Sequence, residues 1–229
     1  MYPAPQSGCC LAPCEVTESA VTSDELLDSQ PGQPRGFRGR VLGFLMVVFN
    51  QPMNVLALAA LDIRDGERVL EIGFGPGRLL GMLANTAKNV RVSGIDYSEL
   101  MVGQARRYLC NHRIAGNIGV TCGSVSSLPY ANASFDKVCA VNSFQFWPSP
   151  RENLAEVRRV LVPGGRLVLV IRVNMPGEAN LLRRISEDME FPQHTRQLLQ
   201  ETGFRDVLLN VRQVRFTTAA CVSGISLYL

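Results

Sequence analysis

The chain has no apolar run near the ~20 residues that a membrane-spanning helix requires; the apolar stretch over residues 41–49 falls far short. No positively charged segment leading into an apolar one opens it, so no secretory signal is expected and the expected compartment is the cytoplasm. Charge of one sign is also missing. Lys and Arg number 23 against 20 Asp and Glu, a formal net charge of +3, and they are dispersed, which argues against a nucleic-acid-binding face. Cys9, Cys10 and Cys14 lack a histidine or a second cysteine pair at zinc spacing, so an exposed tail is expected there and no metal site. Cys110, Cys122, Cys139 and Cys221 sit in apolar or helical patterns and are expected to be free thiols. No internal repeat and no low-complexity segment appears.

What is present is 46% hydrophobic over 229 residues, enough for one sizeable core. Pro3, Pro5, Pro13 and Pro31 interrupt every apolar cluster at the N-terminus, so residues 1–34 are expected to be a disordered or loosely attached tail. Residues 35–229 are expected to form a single domain. Its organising stretch is VLEIGFGPG, residues 69–77: a short apolar run ending in Glu71, then Gly73, Gly75 and Gly77, then the apolar pattern Leu79, Leu80, Met82, Leu83. That order predicts a buried strand, a tight turn and a helix start, with backbone open to a ligand at the turn. A dinucleotide loop counted from Gly73 needs a small residue at position 78, where Arg78 stands, which counts against a nicotinamide or flavin cofactor.

The rest of the chain alternates strand and helix. Residues 37–61 read as two apolar helical segments broken at Asn50, Gln51 and Pro52, an N-terminal cap over residues 35–61 that packs on the domain as a lid. Arg35, Arg38 and Arg40 leave a peripheral membrane contact open as its second role. A helix is expected from Arg78 to Ala87, a strand over residues 90–95 ending in Asp96, and a helix capped by Ser98 and running through Leu109. Strands follow over residues 118–122 and 135–141, then an amphipathic helix over 150–161 ended by Pro163, Gly164 and Gly165. The run from Arg166 to Val173 reads as continuously β-branched and apolar, as a strand covered on both faces would be. Helical segments are expected near residues 178–189 and 193–202. Two close strands, about 207–211 and 213–218, can only be antiparallel.

At this point the residues resemble the class I S-adenosylmethionine-dependent methyltransferases, particularly the small-molecule branch containing the ubiquinone and menaquinone methyltransferases. EIGFGPG is similar to that family's first motif, GIDYS to the acidic end of its second strand, and LPYANASFDKV and LVPGGRLVLV to the segments around its fourth and fifth strands. The resemblance covers roughly residues 68–173. It implies an α/β, Rossmann-like seven-stranded mixed sheet with the last strand antiparallel, helices on both faces, and S-adenosyl-L-methionine as cofactor. It also implies that Gly73, Gly75 and Gly77 lie against the methionine part with Glu71 near its ammonium, that Asp96 accepts from both ribose hydroxyls, and that Tyr97 and Met101 border the adenine. Asn142 falls in the same set. Where the family often has Asp to accept from the adenine amino group, this chain has Ser124 after Gly123, which leaves that bond to a neutral hydroxyl or to the backbone of Val125.

The segment NSFQFWP just past the fourth strand supplies Phe144, Phe146 and Trp147 as a wall for an apolar or aromatic acceptor, or as packing beneath the N-terminal helices. The chain lacks the NPPY-type motif that DNA and protein amide methyltransferases of this fold resemble each other in carrying, so a small molecule is expected as methyl acceptor. Only two histidines are available as a general base, His112 at a helix end and His194, the better placed. Two other readings stand beside this one: a methyltransferase-like binding or regulatory protein, and a membrane-associated lipid or quinone methyltransferase. The acceptor, the atom methylated and the oligomeric state are not readable from these residues.

Overall fold

A computed structural model describes residues 50–114, 117–174, 187–215 and 217–227. The tail with Cys9, Cys10 and Cys14, the helical segment with Arg35, Arg38 and Arg40, and most of the segment near 178–189 lie outside the described residues. Seven strands form one mixed sheet: β1 (Arg68–Ile72), β2 (Arg91–Asp96), β3 (Asn117–Cys122), β4 (Phe135–Val141), β5 (Leu161–Asn174), β7 (Phe204–Val214) and β8 (Thr217–Ser226), in the order β3-β2-β1-β4-β5-β8-β7. A two-residue strand, β6 (Glu187–Asp188), pairs with the end of β5. All pairings are parallel except those of β8, which runs antiparallel to both β5 and β7.

Period-two alternation divides the side chains of the central strands between two cores. Leu70 and Ile72 of β1, Val138 and Ala140 of β4, and Leu167, Leu169 and Ile171 of β5 pack on one side against α4 (Pro150–Val160) and α5 (Glu190–Glu201). Val69, Cys139, Val141, Val168 and Val170 face the other way, onto α1 (residues 50–61), α2 (Arg78–Ala84) and α3 (Glu99–Asn111). Glu71 lies between Leu70 and Ile72, so its side chain falls on the face of α1 to α3. β5 is buried from Leu167 to Val173, as its apolar composition there requires.

Several boundaries differ from the sequence reading. The break expected at Asn50 to Pro52 is helical, continuous with the rest of α1. The helix after the glycine loop stops at Ala84 instead of Ala87, because Asn85 and Thr86 turn their side chains onto the carbonyls of Gly81 and Met82. Ser98 stands at the N-cap of α3 without a side-chain cap, its N–H going to Asp96. Residues 187–188 are strand, not helix, and α5 begins at Glu190, three residues before Gln193. The last hairpin turns beyond Val214, not at Arg212: β7 is an edge strand whose outward residues Asn210, Arg212 and Gln213 are polar because they meet water.

Candidate functional site

The strand order reverses between β2-β1 and β4-β5, and at such a switch point the loops leaving β1 and β4 diverge and open a crevice at the carboxyl ends. A cleft lies there, lined by Glu71, Gly73, Phe74, Gly75, Pro76, Arg78 and Leu79 from the first loop, Val141 and Asn142 from the second, and Asn50 and Asn54 from α1. Glu71 is 3% exposed, and its Oε2 has no hydrogen-bond partner among the described residues. Burial pushes its carboxyl well above the ordinary value, and the charge of Asp96 pushes it further.

The three glycines of the loop all have positive φ, but for different reasons. A Cβ on Gly73 would stand 2.5 Å from Cβ of Ser143, whose hydroxyl donates to the Ile72 carbonyl at 2.7 Å. A Cβ on Gly77 would stand 2.7 Å from Ala105 of α3. These two let the β4 loop and α3 approach the turn. Gly75, at φ +53, has nothing within 4 Å of that position, so its missing side chain leaves open space in the cleft. Its N–H donates to Asp96 Oδ2 at 2.8 Å, while Oδ1 accepts from Ser98 N–H at 2.9 Å. Burial raises the Asp96 carboxyl, and these two backbone donors hold it back.

The other residues singled out from sequence are placed as follows. Tyr97 follows Asp96 with its side chain half exposed, burial raising its phenol, and Met101 is buried in the first turns of α3. Ser124 is exposed and accepts from Ser126 N–H at 3.2 Å; Val125 is buried in the core beneath α4. Phe144 and Trp147 are buried and meet edge to face at 5.0 Å, on the α4 and α5 side and not beneath α1. Phe146 is the exposed ring of the three, at 56%. His194 is on the exposed face of α5, and His112 closes the far end of α3, beside Tyr108. Neither histidine lines the cleft.

Asn50, Asn54 and Arg172 did not emerge from the sequence reading. The two asparagines are four apart on a helix, which puts them on one face, and they are the polar pair in an apolar stretch. Arg172 is the charge inside the apolar strand β5, 3% exposed. Each is a polar residue where the pattern asks for an apolar one, and that mismatch was the available signal. Among the described residues no helix is long and apolar enough to cross a membrane.

Comparisons with known proteins bear on this arrangement. The family profile described as "Methyltransferase domain" matches residues 69–165, which is the stretch from β1 to the start of β5. The chain is 26% identical to the uncharacterized methyltransferase YdaC of Bacillus subtilis, over 80% of this chain and 97% of that protein. It is 31% identical to the O-methyltransferase resE of Aspergillus sclerotiorum, over 74% of this chain and 68% of that one. The fold is that of a S-adenosylmethionine-dependent methyltransferase from Aquifex aeolicus, with a TM-score of 0.65 at 18% identity, covering 81% of this chain and 98% of the other. A loop of glycines after β1, an acid closing β2, the matched profile and a relative 31% identical over 68% of its length converge: the chain belongs to the S-adenosylmethionine-dependent methyltransferases.

Proposed function

We propose that this methyltransferase acts on a small apolar or aromatic acceptor bound where β4 and β5 end, and that the cofactor lies along the β1 and β2 side of the cleft. The observation that carries the reading is the Glu71 carboxyl, buried at the wall of an open cleft with no partner for Oε2 among the described residues. A buried unpaired carboxyl is costly, and an ammonium group satisfies it with charge and hydrogen bonds together. S-adenosylmethionine carries such an ammonium and, when bound, supplies a sulfonium methyl already activated for in-line displacement.

In this reading Glu71 accepts from the ammonium, and the bare backbone at Gly75 leaves room for the methionine part, with Gly73 and Gly77 holding the loop shape. Asp96 has its two oxygens oriented by Gly75 and Ser98, and each retains a lone pair for one ribose hydroxyl. Tyr97 and Met101 border the adenine, with Ser124 and Val125 at its amino edge. Phe146 offers its exposed ring to the acceptor, and Phe144 and Trp147 fix the backbone beneath it. The residues then act by holding the acceptor at near-attack distance, which alone supplies a large part of such a rate effect. His194 has no role in this reading. The name of the Aspergillus sclerotiorum relative favours oxygen as the methylated atom.

The test is transfer of labelled methyl from S-adenosylmethionine to a panel of small phenols and other aromatic acceptors, with wild type and Phe146→Ala compared. A labelled small product, with KM for the acceptor raised in the variant and cofactor affinity unchanged, supports the reading. Label transferred solely to protein or nucleic acid overturns it.

A further inference from the structure

A polar cluster at the wall of the cleft, centred on Asn50 and Asn142, is not used by the chemistry above. Asn142 closes β4 in a left-handed conformation, φ +51, and both ends of its amide are engaged. Its Nδ2 donates to Asn50 Oδ1 at 2.9 Å and lies 3.1 Å from the Met53 sulfur, while its Oδ1 accepts from the Arg172 backbone N–H at 2.9 Å. Arg172 brings its guanidinium from β5 to the same place, where Nη2 donates to Asn50 Oδ1 at 2.8 Å. Two donors from two strands converge on one oxygen of α1. Burial lowers the guanidinium to about 10, which leaves it charged at neutral pH. A buried charge depends on each oxygen that solvates it.

We propose that Asn142 and Arg172 form a latch closing on Asn50, which seats α1 across the carboxyl ends of β4 and β5 and thereby fixes the Asn50 and Asn54 wall of the cleft. Both are positioning residues that act through α1. The latch is a property of the free protein; its effect on cofactor affinity rests on the functional reading given above.

Two measurements on the full chain separate these. Hydrogen exchange of the free protein reads the latch, and titration with S-adenosylmethionine reads its consequence. Asn50→Leu removes the shared oxygen at similar volume, Asn50→Asp keeps an acceptor for both donors, and Asn142→Gly removes the amide while tolerating the positive φ. In Asn50→Leu and Asn142→Gly, amides of residues 50–61 are expected to exchange about tenfold faster with β1 and β4 unchanged, and cofactor to bind about tenfold more weakly. Asn50→Asp is expected to restore both to within about threefold of wild type. Unchanged exchange in α1 for both Asn50→Leu and Asn142→Gly overturns the latch, as does an Asn50→Asp protein that behaves like Asn50→Leu. Faster exchange in α1 with wild-type cofactor affinity overturns the link to the cleft wall. Failure of the wild-type protein itself to bind S-adenosylmethionine overturns the functional reading instead.

Discussion

The two walls of the cleft are built from opposite chemistry. On the β1 and β2 side stand two carboxyls, Glu71 and Asp96, both raised by burial, and one oxygen of Glu71 has no hydrogen-bond partner among the described residues. On the β4 and β5 side stand two amides and a guanidinium, Asn50, Asn142 and Arg172, which hydrogen-bond one another. On the functional reading proposed above, the first wall takes a cationic ligand, whereas the second is held together by hydrogen bonds among its own residues. On the readings proposed above, the contrast separates residues that recognise a ligand from those that hold them in place, and the glycine loop repeats it on a smaller scale with Gly75 against Gly73 and Gly77.

The largest expected effect is at Gly73. Valine there must adopt φ +74 and place its Cβ against Ser143, and the loss is expected to be roughly 4 kcal/mol or more of unfolding free energy in a urea titration. Gly75→Val carries backbone strain without overlap. Its stability loss is expected to be about 1–3 kcal/mol, while its side chain fills the open space of the cleft and abolishes measurable cofactor binding by calorimetry. Equal behaviour of the two variants would erase the distinction between a packing glycine and a ligand-facing one.

A smaller effect is expected from pH. Because the Glu71 carboxyl is raised above its ordinary 4.5 in the fold, the native protein holds a proton there that the unfolded chain has released. The contribution of Glu71 to the stability of the free protein is therefore fully present below that ordinary value and is lost as pH rises through the native titration, with Asp96 contributing in the same sense. Glu71→Gln is expected to flatten the decline in denaturation midpoints across that window. Binding of an ammonium favours the ionised carboxyl, so cofactor uptake by the wild type is expected to release protons, read from titrations in buffers of different ionisation enthalpy. The smallest effect is at Phe146, where alanine is expected to change stability by no more than about 0.5 kcal/mol, against about 3–5 kcal/mol for Phe144→Ala beneath it.

The first wall was legible in the sequence and the second was not. Glycine at 73, 75 and 77 and an acid at 96 mark backbone turns and strand ends that composition displays directly, and the apolar run over residues 166–173 displays a central strand. Asn50, Gln51 and Pro52 read as a helix break because Asn, Gln and Pro together favour turns, whereas in the fold they are helical and α1 packs onto β4 and β5. Phe144, Phe146 and Trp147 share one short segment, and nothing in their spacing says which ring faces outward; the 3-10 turn Phe144–Phe146 decides it. Arg172 is legible as an anomaly in an apolar strand, but its partners come from α1 and β4, more than a hundred residues and thirty residues away in sequence.

The account stands most directly on titration of the purified protein with S-adenosylmethionine, comparing wild type with Asp96→Ala under conditions where near-ultraviolet circular dichroism shows both folded. Saturable binding by wild type and affinity weaker by about a hundredfold in Asp96→Ala, from lost charge-assisted bonds to two hydroxyls and lost support of Gly75, is the expected result. Wild-type affinity in the folded Asp96→Ala protein would contradict it.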